Sequence, residues 1–156
     1  MVSLLEKIEA EKENVERTLK DLERAMKKKE KSIIELSAIG TFLHNIYNGI
    51  ENILKQILKA KNIEISKSDT WHKDLLKISA SHKIISEGLT DKLREYLAFR
   101  HFFIHGYGFM LEESSLTQLA KNAPEVWSQF LLEIKNYLNN CYNKVKKQND
   151  IRTNNS

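Results

Sequence analysis

Between Leu4 and Met26 the apolar residues fall at Leu5, Ile8, Val15, Leu19, Leu22 and Met26, in steps of three, four or seven with charges between them. That period predicts an amphipathic helix with a narrow apolar stripe, of the width that fits a bundle or a coiled-coil seam. The run Lys27-Lys28-Lys29-Glu30-Lys31 then reads as a solvated helix end, where lysines also suit the helix dipole. Ser32-Ile33-Ile34-Glu35 has the spacing of a capping box, so a second helix starts at Ile33. Its apolar positions run from Ile33 through Leu36, Ile39, Phe42, Leu43, Ile46, Tyr47, Ile50 and Leu54 to Leu58. So broad a face predicts a central helix packed on several sides. On it His44, Tyr47, Asn48 and Glu51 stand three or four apart and share one side. Polar groups on a buried helix cost free energy unless satisfied, so they form a hydrogen-bonded network or line and support a cleft.

Residues 61–70 read as a linker, with Ser66, Ser68, Asp69 and Thr70 as candidate caps. A short helix follows from Trp71 to about Ser79, with His72 beside the tryptophan. Gly88 and Thr90 signal a turn and a helix start, and the next helix carries Leu93, Tyr96, Leu97, Arg100 and Ile104. Gly106 and Gly108 stop it, because glycine accepts the left-handed conformation found past helix ends. Residues 112–122 read as a short helical segment. Pro124, favoured in a helix first turn, begins a last long helix to Lys147 that contains Cys141 as a core thiol. Residues 148–156 are polar, lack apolar anchors and read as a disordered tail. Neither an internal repeat nor strand-like alternation is visible. The expected fold is all-α: an up-and-down bundle of four to five long helices in a single domain, residues 1–147, with narrow outer stripes that leave room for a dimer seam.

Composition sharpens this in a few places. Five glycines and one proline in 156 residues leave few turns, which favours long helices. Hydrophobic residues at 41% and charged residues at 29% describe a soluble globular chain, and a net charge of +4 permits phosphate contact without requiring it. A single cysteine rules out an intrachain disulfide framework. An N-terminus that soon turns acidic, and apolar runs too short for a membrane span, give the expectation of a cytoplasmic protein without membrane association.

The densest reactive chemistry lies in Arg100-His101-Phe102-Phe103-Ile104-His105-Gly106-Tyr107. Arg100 presents a permanently charged planar fork suited to phosphate. His105 can exchange a proton near neutral pH. Together they suffice for metal-free RNA cleavage: the histidine moves a proton at the ribose 2′-hydroxyl or the leaving oxygen, and the arginine offsets charge on the phosphate. Five residues apart on an intact helix, the two side chains diverge by roughly 140°. Either the helix unwinds before His105, or two chains pool their residues in one cleft.

The segment from Tyr96 to Leu111 resembles the signature of the HEPN superfamily and, within it, the HepT-like ribonuclease toxins, whose motif is Arg-x4-His-x-Tyr. The segments from Leu43 to Glu51 and from Trp71 to Leu76 resemble further blocks of that group, and the likeness spans about residues 35 to 138. It implies a homodimeric helical bundle with a composite, metal-independent endoribonuclease site at the interface and RNA, notably tRNA, as substrate. It implies Arg100 and His105 as the catalytic pair, His101 as a residue shaping the site, and Tyr107 as the acceptor of AMP from a minimal nucleotidyltransferase antitoxin, whose bulky anionic product would silence the toxin. His44, Tyr47, Glu51 and His72 are candidates to support the site. No cofactor and no metal is expected.

Two other readings stay open at this point. His101 and His105 at i, i+4 could face one zinc ion, although no third ligand is evident. Alternatively, the chain is a non-catalytic helical module that binds a nucleotidyltransferase partner.

Overall fold

The computed structural model describes residues 2–106 and 112–155, which form five helices and, among those residues, no strand. They are α1 (Leu4–Met26), α2 (Ile33–Ala60), α3 (Trp71–Ser81), α4 (Glu87–Ile104) and α5 (Glu113–Asn154). The architecture is an all-α bundle organised around α2, which touches each of the other four helices.

The stripe of α1 buries Ile8, Val15 and Leu22, seven residues apart, against α2. Gly49 permits the close approach: a Cβ there would overlap Val15 Cγ2. Both helices begin with a full capping box. The box at Ser32 and Glu35 is the expected one, and Ser3 and Glu6 form a second with the same spacing. Lys28, followed by Ser32, draws the Glu35 carboxyl from an ordinary 4.5 down to about 2.

The core gathers on α2 through Ile39, Leu43, Ile50, Ile53, Leu54 and Ile57, with Leu75 and Leu76 of α3, Leu89 and Leu93 of α4, and Phe130 of α5 closing over it. The Tyr96 hydroxyl donates to the Leu119 carbonyl at 2.7 Å, tying α4 to α5. No helix among the described residues is long and apolar enough to cross a membrane.

Four expectations need correction. Helix α4 starts at Glu87, not after Thr90: Ser86 is its N-cap, accepting from the Leu89 N–H, while its own N–H and hydroxyl donate to Glu133 of α5. Pro124 does not divide the C-terminal region, because α5 runs through it. A proline inside a helix removes one backbone donor. Here, however, Leu116, Ala120, Ala123, Trp127, Phe130 and Ile134 keep one buried face in alternating steps of four and three across it, and that packing holds the helix together. Residues 148–154, expected to be disordered, continue α5 with every side chain exposed. A helix already nucleated extends at the low cost of propagation. Cys141, expected as a core thiol, is only partly buried.

Candidate functional site

Helix α4 is set against α2 by aromatic packing over a small residue. A Cβ on Gly40 would stand 2.9 Å from Phe103 Cε2, and the Phe103 ring packs against Phe99 and His44 with centroids 5.7 and 5.9 Å away. This contact fixes the last turns of α4, and with them Arg100, over the polar side of α2.

Arg100 is half-buried and held from two directions. Its Nε donates to Asn48 Oδ1 of α2 at 3.0 Å, and a terminal nitrogen approaches His72 Nε2 of α3 at 3.3 Å. The far side of His72 meets Glu51: Nδ1 lies 2.8 and 3.0 Å from the two carboxylate oxygens. Glu51 is 2% exposed, so a carboxylate has been taken out of water to hold this imidazole. The donors and acceptors admit one consistent assignment. Glu51 only accepts, so Nδ1 carries the hydrogen; Arg100 only donates, so Nε2 presents its lone pair. Trp71 stacks on the same imidazole at 3.5 Å, and Lys55 covers the indole at 4.2 Å. Of the five guanidinium N–H groups, Asn48 and His72 engage two, and among the described residues the other three have no partner.

The network extends along α2. Asn48 Nδ2 donates to His44 Nε2 at 3.0 Å, which leaves the hydrogen on a buried and unpartnered Nδ1. Burial, and then the charge of Arg100, lower the His44 pKa below its ordinary 6.5, against a smaller raising effect of Glu51. Tyr47 is buried beneath the network. Burial first, then the adjacent Glu51 carboxylate, hold its phenol far above the usual range, although its hydroxyl reaches no partner at hydrogen-bonding geometry.

The other half of the motif lies at the exposed end of α4. His105 is the C-cap; its backbone N–H still donates to the His101 carbonyl at 3.2 Å, and Gly106 then takes φ +79°. The helix therefore keeps its register as far as His105 and turns only afterwards, so unwinding does not bring His105 round to Arg100. No hydrogen bond joins the two among the described residues. The His105 ring packs on His101 with centroids 4.1 Å apart, and its Nδ1 donates to the His101 carbonyl at 3.0 Å. Its Nε2 has no hydrogen-bond partner among the described residues. Among the described residues, no group of three or more His, Cys, Asp or Glu is placed to hold a metal ion. Tyr107 and Gly108 lie outside the described residues.

Arg100 and His101 form one end of a cleft of about 640 Å³ between α3 and α4, which His72 also lines. The model of the family described as HepT-like protein matches residues 38–141. The chain belongs to the HepT-like family. The match takes in the whole network around Arg100, whereas α1 and the last turns of α5 lie outside it. Among solved structures, this HepT-like chain is similar to a cytosolic protein of unknown function, YutE from Bacillus subtilis, with a TM-score of 0.58 and 18% identity over 81% of this chain and 90% of that one. At that identity the likeness carries the fold alone. No curated protein matches the chain.

Two residues of this HepT-like site are more central than their sequence context suggested. Asn48 touches Arg100 directly, and its i+4 spacing from His44 was the available signal. His72 links a buried carboxylate to Arg100.

Proposed function

We propose that the protein is a metal-independent endoribonuclease, acting as the toxin of a type II toxin–antitoxin pair. The observation that carries this reading is the anchoring of Arg100. A buried carboxylate, an imidazole and an amide are spent on orienting the donors of one guanidinium that lines a cleft. Such pre-organised donors are what a phosphate gaining charge in a transition state requires.

In the reaction, Nε2 of His105 takes the proton of a ribose 2′-hydroxyl. The 2′-oxygen forms a bond to the adjacent phosphorus while the bond to the 5′-oxygen breaks, and a protonated histidine returns a proton to that leaving oxygen. The products are a 2′,3′-cyclic phosphate and a 5′-hydroxyl. Arg100 holds the non-bridging oxygens throughout, and His101 packs on His105 and orients it. Because Arg100 faces α2 and α3 while His105 caps the free end of α4, a complete site draws its arginine and its histidine from the two chains of a homodimer. DNA, lacking the 2′-hydroxyl, is not cut.

Family context supports tRNA as the target and a minimal nucleotidyltransferase as the antitoxin, with AMP transferred to Tyr107 two residues from His105. Incubating the purified protein with total RNA and with tRNA under chelator, beside His105→Ala, tests the reading. Cleavage to cyclic-phosphate ends by the native chain alone is expected. Equal toxicity of Arg100→Ala, His105→Ala and the native chain would instead favour a module that only binds its partner.

A further inference from the structure

The cleft at Arg100 continues along α3 and α4 toward Lys77 and Arg94. One face of α3 and one face of α4 form its walls: Lys73, Leu76 and Lys77 on the first, Arg94, Leu97 and Ala98 on the second. These positions repeat at three- and four-residue steps, so each wall is one continuous helix face. Leu76 and Leu97 are buried and make an apolar floor, while Lys73, Lys77 and Arg94 are exposed along the rims. At 1.5 Å per residue, Arg94 stands about 9 Å along α4 from Arg100, and both line the cleft.

The acids nearby offset only part of this charge, because Lys73, Lys77, Arg94 and Arg100 line the cleft with two carboxylates, Asp69 and Asp74. Asp74 accepts from the Ser68 and Thr70 hydroxyls at the start of α3. Asp91 pairs with Arg94 at 2.6 Å on the same helix, but both side chains are at least half exposed, where such a pair is worth little and yields to a phosphate. Asp69 also lines the cleft, beside Thr70 in the chain.

We infer that this groove binds the single-stranded RNA adjoining the scissile phosphate, with backbone phosphates on Lys73, Lys77 and Arg94 and a sugar or base edge on the Leu76, Leu97 and Ala98 floor. The identity of the occupant rests on the ribonuclease reading, since Arg100 at the groove's end is what marks the ligand as a phosphodiester. The groove would then set which side of the cut is gripped, and how tightly.

The test is binding of a short fluorescein-labelled single-stranded RNA of mixed sequence to the full chain carrying His105→Ala, which prevents turnover. Lys77→Gln with Arg94→Gln removes two groove charges; Lys146→Gln with Lys147→Gln removes two from the exposed end of α5. The groove pair should lower the slope of log affinity against log salt by about 1.4 and weaken binding roughly 25-fold at 0.1 M salt, the ratio that slope change gives if the chains bind equally at 1 M. The α5 pair should change affinity far less. Unaltered binding by the groove pair, or an equal loss from the α5 pair, overturns the inference. Cleavage by the native chain is scored separately. RNA left intact while the groove pair still weakens binding would sink the nuclease reading and leave an RNA-binding groove standing.

Discussion

Glu51→Gln isolates the support of Arg100 from the arginine itself. The side chain is nearly isosteric and sits 3% exposed, 2.8 Å from His72 Nδ1. A hydrogen bond to a charged group is worth about 1.5–3 kcal/mol, and a neutral one about half as much. Glutamine keeps one acceptor, so the hold on His72 weakens by about 1–1.5 kcal/mol. If all of that reached the transition state through Arg100, the cleavage rate would fall roughly tenfold. Asn48 still grips Nε, so tenfold is the upper bound and activity is not abolished. Global stability should change by less than about 1 kcal/mol, because removing a buried charge also removes its desolvation cost. Single-turnover cleavage under chelator and urea unfolding, run on the same preparation, check both numbers. The expected signature is a lower kcat with little change in KM, since the lost contact matters most when charge has built up on the phosphate. A cleavage rate within twofold of the native value would refute the orienting role of Glu51. So would a rate loss fully accounted for by unfolded protein.

Gly49→Ala should destabilise the chain by about 1–3 kcal/mol in urea unfolding, because the new methyl group meets Val15 Cγ2 and overpacked contacts cost about that much. Val15→Ala in the same chain should relieve part of the clash, giving a favourable coupling in the double-mutant cycle. A second expectation concerns pH. The His44 pKa is lowered in the folded chain by burial and by Arg100, so the unfolded chain binds the proton more readily. Stability is then greatest above the unfolded value of about 6.5 and falls as pH drops from there toward the folded value. Protonation would also place an N–H of His44 against the Asn48 amide N–H that now donates to it, loosening the Asn48 grip on Arg100. Urea midpoints at about pH 7.5 and 5 should show the loss, and His44→Gln should shrink it; an unchanged pH response in that variant would exclude His44 as its source.

The parts of the fold legible in the sequence are those set by local rules. Apolar spacing is sufficient to bound α1, and the capping box at Ser32 places the start of α2, because both signals act within one or two turns. Pro124 misled for the opposite reason. Its cost is local and visible, whereas the packing that outweighs it comes from contacts of the flanking turns with distant parts of the chain. The site divides along the same line. Arg100 and His105 stand out as chemistry in the sequence. The Glu51–His72–Arg100 connection joins residues 21 and 28 positions apart, and Asn48 lies 52 positions before Arg100. Helical periodicity places these groups on faces of α2, α3 and α4 but does not say which faces meet. The aromatic contact at Gly40 and the bundle order decide that.

The divergence of Arg100 and His105 leads to an experiment that needs no structure of a complex. If each site takes its arginine from one chain and its histidine from the other, Arg100→Ala and His105→Ala homodimers are both inactive. A mixed dimer, however, keeps one intact site, built from the arginine of the His105→Ala chain and the histidine of the Arg100→Ala chain. With random exchange half the dimers are mixed and each carries one working site of two, so an equimolar mixture should recover about one quarter of native activity. If instead the pair acts within one chain, no mixed dimer contains a complete site and activity stays at background. The backbone favours the first result: the His105 amide is still bonded to the His101 carbonyl, so its side chain projects on the helix register, away from the direction in which Asn48 and His72 hold Arg100. Co-expression of differently tagged variants, tandem purification of the mixed dimer and a cleavage assay would decide it, and an inert mixed dimer would refute the shared site.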